Sequence, residues 1–234
     1  MAWIRLAIKG FIMQKETEIK ELRDDEPFPG IECVGEMDRI ARGGKMTVKR
    51  LIEAYGKGIF PYYAFRLEEL YWCCPLDRFV IFPEEIHISH SMRTLMNSGR
   101  YNVTYDKRFS SVIMGCALID GRHDHMCAWL GAEVMEAYEA MHRAGLAHSV
   151  EVWEGEKLVG GLYGVALNGL FSGSFAGESM FSLAPNASKF ALISLALEMQ
   201  RGGGRIIDCQ YETEHLRRMG GRHIGYEEYL GLMG

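Results

Sequence analysis

Carboxylate and amide side chains follow two apolar segments in the C-terminal third of the chain. Asp208 and Gln210 come after the apolar pair at 206–207, and Glu178 comes after the short run at 175–177. Because side chains alternate along a strand, Asp208 and Gln210 are predicted to point to the same face. A carboxylate beside an amide can accept a proton while the amide orients the donor. These three residues are therefore candidate catalytic groups; for Asp208 the alternative is an ion pair at a strand end.

A second polar group, His148 beside Ser149, has the residue types of a serine nucleophile and its base. Neighbouring residues of a strand face opposite ways, so the two cannot form a Ser–His pair within the strand predicted here. The chain also has no Gly-x-Ser-x-Gly motif, which marks the nucleophile turn of many hydrolases. The pattern argues against a serine hydrolase.

Two further segments have the composition of a ligand site but not its arrangement. The cluster at 123–127 contains His, Asp and Cys, yet a zinc site needs further ligands at suitable spacing and no second cluster follows. The Gly-rich stretch at 201–205 follows a predicted helix and precedes a strand, the reverse of the order that presents amides to phosphate. We predict no bound metal and no nucleotide or coenzyme A cofactor.

The composition is that of a globular protein with a local basic patch. The 234 residues carry a net charge of −5, which argues against a protein coated in positive charge, but residues 38–57 hold six basic and two acidic side chains. A patch of this size is sufficient for a few phosphate contacts. The candidate phosphate ligands are Arg42, Lys45, Lys49, Arg50 and Lys57.

The six cysteines and the apolar segments bear on location. The cysteines show no regular spacing, so we expect reduced thiols and a cytoplasmic protein. No apolar run approaches the roughly 20 residues that a membrane helix requires. Residues 1–12 are apolar but include Arg5 and Lys9, so a signal peptide is not expected, and Met13 is an alternative start.

The elements that would position these groups include both helices and strands. Thr47 is predicted to cap a helix over 48–55, whose apolar residues recur at helical spacing. Further strands are expected at 79–82, 101–105, 147–153, 158–166, 169–175 and 205–210, and further helices at 89–98, 109–117, 133–144, 188–200 and 212–219. This order is typical of an α+β fold with a mostly antiparallel central sheet. We expect a small N-terminal domain over 1–70 and a larger domain over 71–234.

Several sequence blocks resemble those of leucyl/phenylalanyl-tRNA–protein transferases. They are 54–61 (AYGKGIFP), 147–153 (AHSVEVW), 158–165 (LVGGLYGV), 177–182 (GESMFS), 186–189 (NASK) and 207–210 (IDCQ). The blocks occur in the right order, and the resemblance extends from about Pro27 to the C-terminus. The chain departs from the usual pattern at 43–46, 60–62 and 72–78, and it has extra residues before Gly177. These positions surround the adenosine end and the pocket rim, so we expect differences in donor preference rather than in reaction type.

The resemblance implies a larger domain related to N-acetyltransferases, with no metal and no cofactor. The implied reaction transfers Leu or Phe, with Met as a third candidate, from aminoacyl-tRNA to a protein that begins with Arg or Lys. The product is a signal for N-end-rule degradation. Glu178 would hold the cationic acceptor residue, and Gln210, polarised by Asp208, would take or relay the amine proton during ester aminolysis.

The resemblance also implies the residues that contact the substrate. The aromatic positions are Tyr55, Trp129 and Tyr138, and the aminoacyl side chain would lie in a pocket of Leu162, Phe175, Gly177 and Met180. We expect a monomer with no membrane partner. Two other classes remain open: a peptidyl transferase that builds a small peptide from aminoacyl-tRNA, and a non-catalytic aminoacyl-tRNA binder.

Overall fold

The computed structural model describes residues 19–64, 69–123 and 131–233, which form two β-sheets and their flanking helices. Trp129 and positions 124–127 of the His/Asp/Cys cluster lie outside the described residues, as does the segment 1–12. No helix in the part of the chain that is described is long and apolar enough to span a membrane.

The smaller sheet has three antiparallel strands in the order β1–β3–β2. Its strands are β1 (Arg39–Arg42), β2 (Phe60–Ala64) and β3 (Glu69–Cys73). The next strand along the chain starts at Asp77 and belongs to the other sheet. The chain therefore changes sheets between Cys73 and Asp77, a few residues beyond the domain boundary expected at residue 70.

The larger sheet has seven strands in the order β10–β4–β9–β8–β7–β6–β5. They are β4 (Asp77–Ile81), β5 (Asn102–Tyr105), β6 (Ala147–Glu154), β7 (Lys157–Val165), β8 (Phe175–Ser182), β9 (Ile207–Asp208) and β10 (Arg222–Gly225). Every neighbouring pair is antiparallel except β8 with β9, which run parallel. The α+β architecture with a mostly antiparallel central sheet is confirmed.

The helices are α1 (Val48–Gly56), α2 (His90–Asn97), α3 (Phe109–His123), α4 (Ala132–Arg143), α5 (Ala187–Gly202), α6 (Glu214–Arg218) and α7 (Tyr226–Met233). The predicted cap of α1 is confirmed, because Thr47 Oγ1 accepts a hydrogen bond from the Arg50 amide at 3.2 Å. Helix α4 is followed by Gly145 in the left-handed region, as predicted for a helix end.

Two hydrophobic clusters cover the two faces of the larger sheet. One cluster joins the small sheet and α1 to α3 and α4, and the other lies mainly between the sheet and α5. Glycines in β7 allow this close packing: a Cβ on Gly161 would lie 2.6 Å from the Val150 carbonyl oxygen, and one on Gly160 would lie 2.5 Å from Ala187 Cβ. The glycine block at 158–165 thus has a packing role.

Three expectations about the elements need correction. The strand expected at 169–175 is a turn until Phe175, where β8 begins and runs to Ser182. The strand expected at 205–210 is reduced to the two residues of β9. The small sheet and β10 were not anticipated, because their strands are only four or five residues long and have no clear alternation.

Candidate active site

Glu178 occupies a β-bulge in β8. The consecutive residues Tyr163 and Gly164 of β7 pair with Ser179 and Gly177, so Glu178 is the extra residue between them. A bulge leaves one residue out of the ladder and redirects its side chain. The irregularity explains how the Glu178 carboxylate is turned out of the β7–β8 ladder.

Three donors converge on the half-buried Glu178 carboxylate. The hydroxyls of Tyr55 and Tyr138 donate to its two oxygens at 2.7 and 2.8 Å, and Gln210 Nε2 donates to Oε1 at 3.0 Å. The two tyrosine oxygens are themselves 2.6 Å apart. Both tyrosines are buried. Tyr55 comes from α1, Tyr138 from α4 and Gln210 from the segment after β9, so distant parts of the chain meet at the Glu178 carboxylate of β8.

The relation between Asp208 and Gln210 differs from the one predicted. Gln210 lies beyond the end of β9 with φ of 63°, so the two residues do not alternate along one strand. Asp208 Oδ1 accepts a hydrogen bond from the backbone amide of Gln210 at 2.8 Å, while the side-chain amide of Gln210 points to Glu178. Asp208 therefore contacts the backbone of the turn that places Gln210, and not the side-chain amide.

Asp208 is buried at 1% exposure and has partners that the sequence did not reveal. Tyr229 of α7 donates to its Oδ2 at 2.9 Å. The equally buried Arg78 brings Nε to 3.4 Å from Oδ1, close enough for an ion pair but not aligned as a hydrogen bond. Arg78 Nη2 also donates to the Gly58 carbonyl, which links β4 to the turn after α1. The only sign of the Arg78 partner in the sequence was a charged residue at the start of an apolar strand.

The electrostatics of the cluster favour a titratable Glu178. Burial raises the pKa of Glu178 to about 7; the Tyr55 and Tyr138 hydroxyls lower it, Asp208 raises it and Arg78 lowers it. Burial, followed by the charge of Glu178, raises the pKa of each tyrosine well above its ordinary value, so both hydroxyls keep their protons. Burial is the largest single effect on Arg78 and lowers its pKa, but Asp208, Tyr229 and Cys74 together outweigh it, so the net pKa is raised.

A narrow apolar cavity opens beside Glu178. All four predicted pocket residues line it, namely Leu162, Phe175, Gly177 and Met180. Further lining comes from residues that were not predicted, including Leu192 of α5 and Leu216 of α6. Its free volume is about 20 Å³, enough for one water molecule and too small for a leucine side chain. An apolar ligand would enter only if the lining residues moved. Met180 is half-buried, and methionine side chains are flexible.

The five residues predicted to contact phosphate are mostly engaged with other groups. Arg50 is buried and donates to the backbone carbonyls of Arg23, Asp24 and Glu26 at 2.5–2.9 Å, so its guanidinium is used within the fold. Ion pairs join Arg42 to Glu69, Lys45 to Asp24 and Lys57 to Glu53. Lys49 is exposed and has no ion pair with any residue that the structure describes.

His148 and Ser149 have separate partners, on opposite sides of β6. His148 Nδ1 lies 2.7 Å from Asp106 Oδ2, and Ser149 Oγ donates to Glu151 Oε1 at 2.6 Å. Glu151 is fully buried and also accepts from the amides of Lys107 and Arg108 just before α3. A carboxylate in this position stabilises a helix start, which gives the block at 147–153 a structural role.

Comparison with known proteins covers nearly the whole chain. A family model described as leucyl/phenylalanyl-tRNA protein transferase matches residues 80–234, and the model of that family's N-terminal domain matches residues 44–76. A leucyl/phenylalanyl-tRNA–protein transferase of Myxococcus xanthus is 42% identical over 91% of this chain and 89% of its own length. One from Syntrophus aciditrophicus is 44% identical over 88% of this chain and 84% of its own length. Among solved structures, a GCN5-related N-acetyltransferase-like protein from Streptococcus suis overlaps 75% of this chain and 63% of its own, at 14% identity and a TM-score of 0.35.

Proposed function

The chain belongs to the leucyl/phenylalanyl-tRNA–protein transferase family, and we propose that Glu178, Gln210 and Asp208 form the centre at which it transfers Leu or Phe from aminoacyl-tRNA to a protein. The observation that carries this assignment is that Glu178, which lines the apolar cavity, also accepts a hydrogen bond from Gln210. The polar groups would hold the reacting amine and the cavity would hold the aminoacyl side chain.

The reaction is the aminolysis of an ester and forms no covalent bond to the enzyme. The acceptor's neutral α-amine attacks the ester carbonyl, and holding the two reactants together is worth about 7–11 kcal/mol. Gln210 donates through Nε2 to Glu178, which fixes the amide so that its Oε1 can accept a hydrogen bond from the incoming amine. Asp208 keeps Gln210 in its left-handed conformation through the backbone bond.

The chemistry of the site also supports the acceptor class. Two carboxylates, Glu178 and Asp208, lie near one buried cation, Arg78, so the ionised cluster carries a net negative charge. We propose acceptors that begin with Arg or Lys, whose side chains this charge attracts, and products that carry an N-end-rule degradation signal. We also propose a monomer acting in the cytoplasm, where thiols such as Cys33, Cys73, Cys74 and Cys209, which form no disulfide, stay reduced.

The cavity predicts which donors react. Its surface is almost entirely apolar, and burying an amide or hydroxyl without a hydrogen-bond partner costs about 1–3 kcal/mol. We expect Leu-, Phe- and Met-tRNA to react with a peptide that begins with Arg, and Gln- or Asp-tRNA to react about 5- to 150-fold more slowly. Differences among Leu, Phe and Met should be no larger than this, since one methylene in an apolar pocket is worth about 1–3 kcal/mol.

A transfer assay with these five charged tRNAs tests the assignment, and Met180→Gln tests the pocket. The substitution places an amide in the wall, so Leu transfer should fall about tenfold or more, while the control Met114→Gln alters an exposed side chain of α3 and should not change the rate. Faster transfer from Gln-tRNA than from Leu-tRNA would refute the apolar pocket. A peptide product formed without a protein acceptor would favour the peptidyl transferase, and binding without transfer would favour the non-catalytic binder.

A further inference from the structure

Tyr55, Tyr138 and Glu178 form a closed triangle of oxygen contacts. The carboxylate contacts are 2.7 and 2.8 Å long, and the hydroxyl–hydroxyl contact is 2.6 Å. All three distances are those of O–H···O hydrogen bonds, so each contact needs one proton between its two oxygens. The protons available to the triangle can therefore be counted.

Two tyrosine hydroxyls supply two protons for three contacts. When Glu178 is ionised, one contact has no proton and brings two oxygen lone pairs together. When Glu178 is protonated, the carboxyl group and each hydroxyl donate once and accept once around the triangle. Glu178 thus completes a hydrogen-bond ring when it takes up a proton.

We propose that Glu178, positioned by Tyr55 and Tyr138, accepts the proton of the attacking amine and returns it to the ribose oxygen of the departing tRNA. As the C–N bond forms, the amine nitrogen gives one proton to the Glu178 carboxylate. As the ester C–O bond breaks, the protonated Glu178 gives that proton to the leaving oxygen. The enzyme returns to its starting state, and the step rests on the proposed function.

The other two polar groups of the site are less suited to this task. Gln210 can orient an amine through Oε1, but an amide oxygen is a very weak base. Asp208 is only 1% exposed and its carboxylate faces the buried Arg78 cation. Glu178 is half-buried, so a reacting amine can reach it.

The groups around Glu178 set the pH at which it acts. Asp208 from β9 raises its pKa and Arg78 from β4 lowers it, as do the hydroxyls of Tyr55 and Tyr138. Tyr163 of β7 packs edge-on against the Tyr138 ring at 5.3 Å. With a pKa of about 7, Glu178 exists in both forms near neutrality, which suits a group that must accept and then release a proton.

The pH dependence of kcat, at saturating Leu-tRNA and a saturating peptide with N-terminal Arg, tests this role. Glu178 must be ionised to act, so kcat should rise as the pH rises through its pKa. Tyr55→Phe and Tyr138→Phe each remove one donor to the carboxylate and open the hydrogen-bond ring of the protonated form, so the rise should be displaced along the pH axis. The rate loss in each variant should therefore differ between pH 6 and pH 8.

Glu178→Gln cannot take up a proton, so its kcat should fall by about 10²–10⁴ at every pH. Its profile should keep only the titration of the acceptor's amine, at about pH 8. The matched control is Tyr101→Phe, a buried tyrosine whose hydroxyl donates to the Pro185 carbonyl at 3.1 Å; its profile should equal that of the wild type.

Two results would overturn the proposal. One is a uniform rate loss in both tyrosine variants with no displacement of the profile, which would mean a purely structural role. The other is a Glu178→Gln enzyme that retains the rise near pH 7. If the wild type transferred no amino acid at all, the proposed function itself would fail. If the wild type did transfer Leu but the pH profile was the same in the tyrosine variants, only this step would be refuted.

Discussion

At the scale of single residues, Asp208 has the largest set of partners that the sequence did not predict. It is paired with the buried Arg78, receives the Tyr229 hydroxyl and fixes the backbone of Gln210. A buried cation whose partner is removed destabilises a fold by about 3–5 kcal/mol, far more than the loss of one neutral hydrogen bond. Replacing Asp208 should therefore reduce stability as well as activity.

We predict that Asp208→Asn lowers the free energy of unfolding by about 3–5 kcal/mol, because Arg78 is left buried without a counter-charge. Tyr229→Phe removes only one donor and should cost about 1 kcal/mol. Denaturant unfolding of both variants, and of Arg78→Met with Asp208→Asn, measures this. The double variant should recover part of the loss. A single Asp208→Asn variant as stable as the wild type would mean that the ion pair contributes little.

At the scale of elements, the sequence revealed the local patterns and missed those set by distant partners. The helix at 48–55 and its Thr47 cap could be predicted because both the cap and the helical spacing are local. The bulge at Glu178 could not, because it depends on how β8 pairs with β7. The turn that carries Gln210 also depends on other elements: the Phe79 amide of β4 donates to the Gln210 carbonyl at 3.3 Å.

The same distinction applies to the site. The residues of the pocket and the polar cluster were predicted from blocks of sequence, and the structure brings together all of those that it describes. The partners Arg78 and Tyr229 could not be predicted, because they contact Asp208 from 130 residues earlier and 21 residues later in the chain. Buried ion pairs between separate strands and helices have no local pattern.

We predict that Gly164→Ala disturbs the pairing of β7 with β8 beside Glu178. A Cβ at Gly164 would clash with the Ala176 carbonyl oxygen and lie 2.6 Å from two ring carbons of Phe175. A backbone carbonyl cannot move aside as a flexible side chain can, so we expect the free energy of unfolding to fall by at least about 1–3 kcal/mol. For a protein of this size the melting temperature should fall about 2–4 °C per kcal/mol.

The control for this substitution is Gly225→Ala at the end of β10, where an added Cβ has no neighbour within 4 Å. Thermal unfolding of both variants, followed by a transfer assay below the melting temperature, separates stability from activity. Equal melting temperatures would show that the sheet accommodates the methyl group and that the close approach at Gly164 is not required.

At the scale of the whole molecule, charge limits how the protein holds a nucleic acid. The net charge is −5, and most of the predicted phosphate ligands are paired with acidic side chains or buried. A tRNA held through few phosphates would bind with a weak dependence on salt, because each neutralised phosphate changes the slope of log K against log salt by only about −0.9 for a duplex. Specific contacts at the aminoacyl end would then supply much of the affinity.

We predict that the tRNA contacts the surface around Lys49. Lys49→Glu should weaken tRNA binding and make the salt slope shallower by about one unit. Asp24→Asn should have the opposite effect, since it releases Lys45 from its ion pair, and binding should become tighter and more sensitive to salt. Lys157→Glu, on the hairpin between β6 and β7, serves as an exposed control of the same chemistry. Filter binding of Leu-tRNA to the wild type and the three variants, over a range of salt concentrations, measures both quantities.

If Lys49→Glu and Asp24→Asn left both affinity and slope unchanged, the tRNA would lie elsewhere, and the next candidates would be Arg217, Arg218 and Arg222. Each of these three also forms an ion pair, with Glu212, Glu214 and Glu85. A phosphate there would have to displace a carboxylate, whereas the exposed Lys49 has no ion pair within residues 19–64, 69–123 and 131–233, which makes it the stronger expectation.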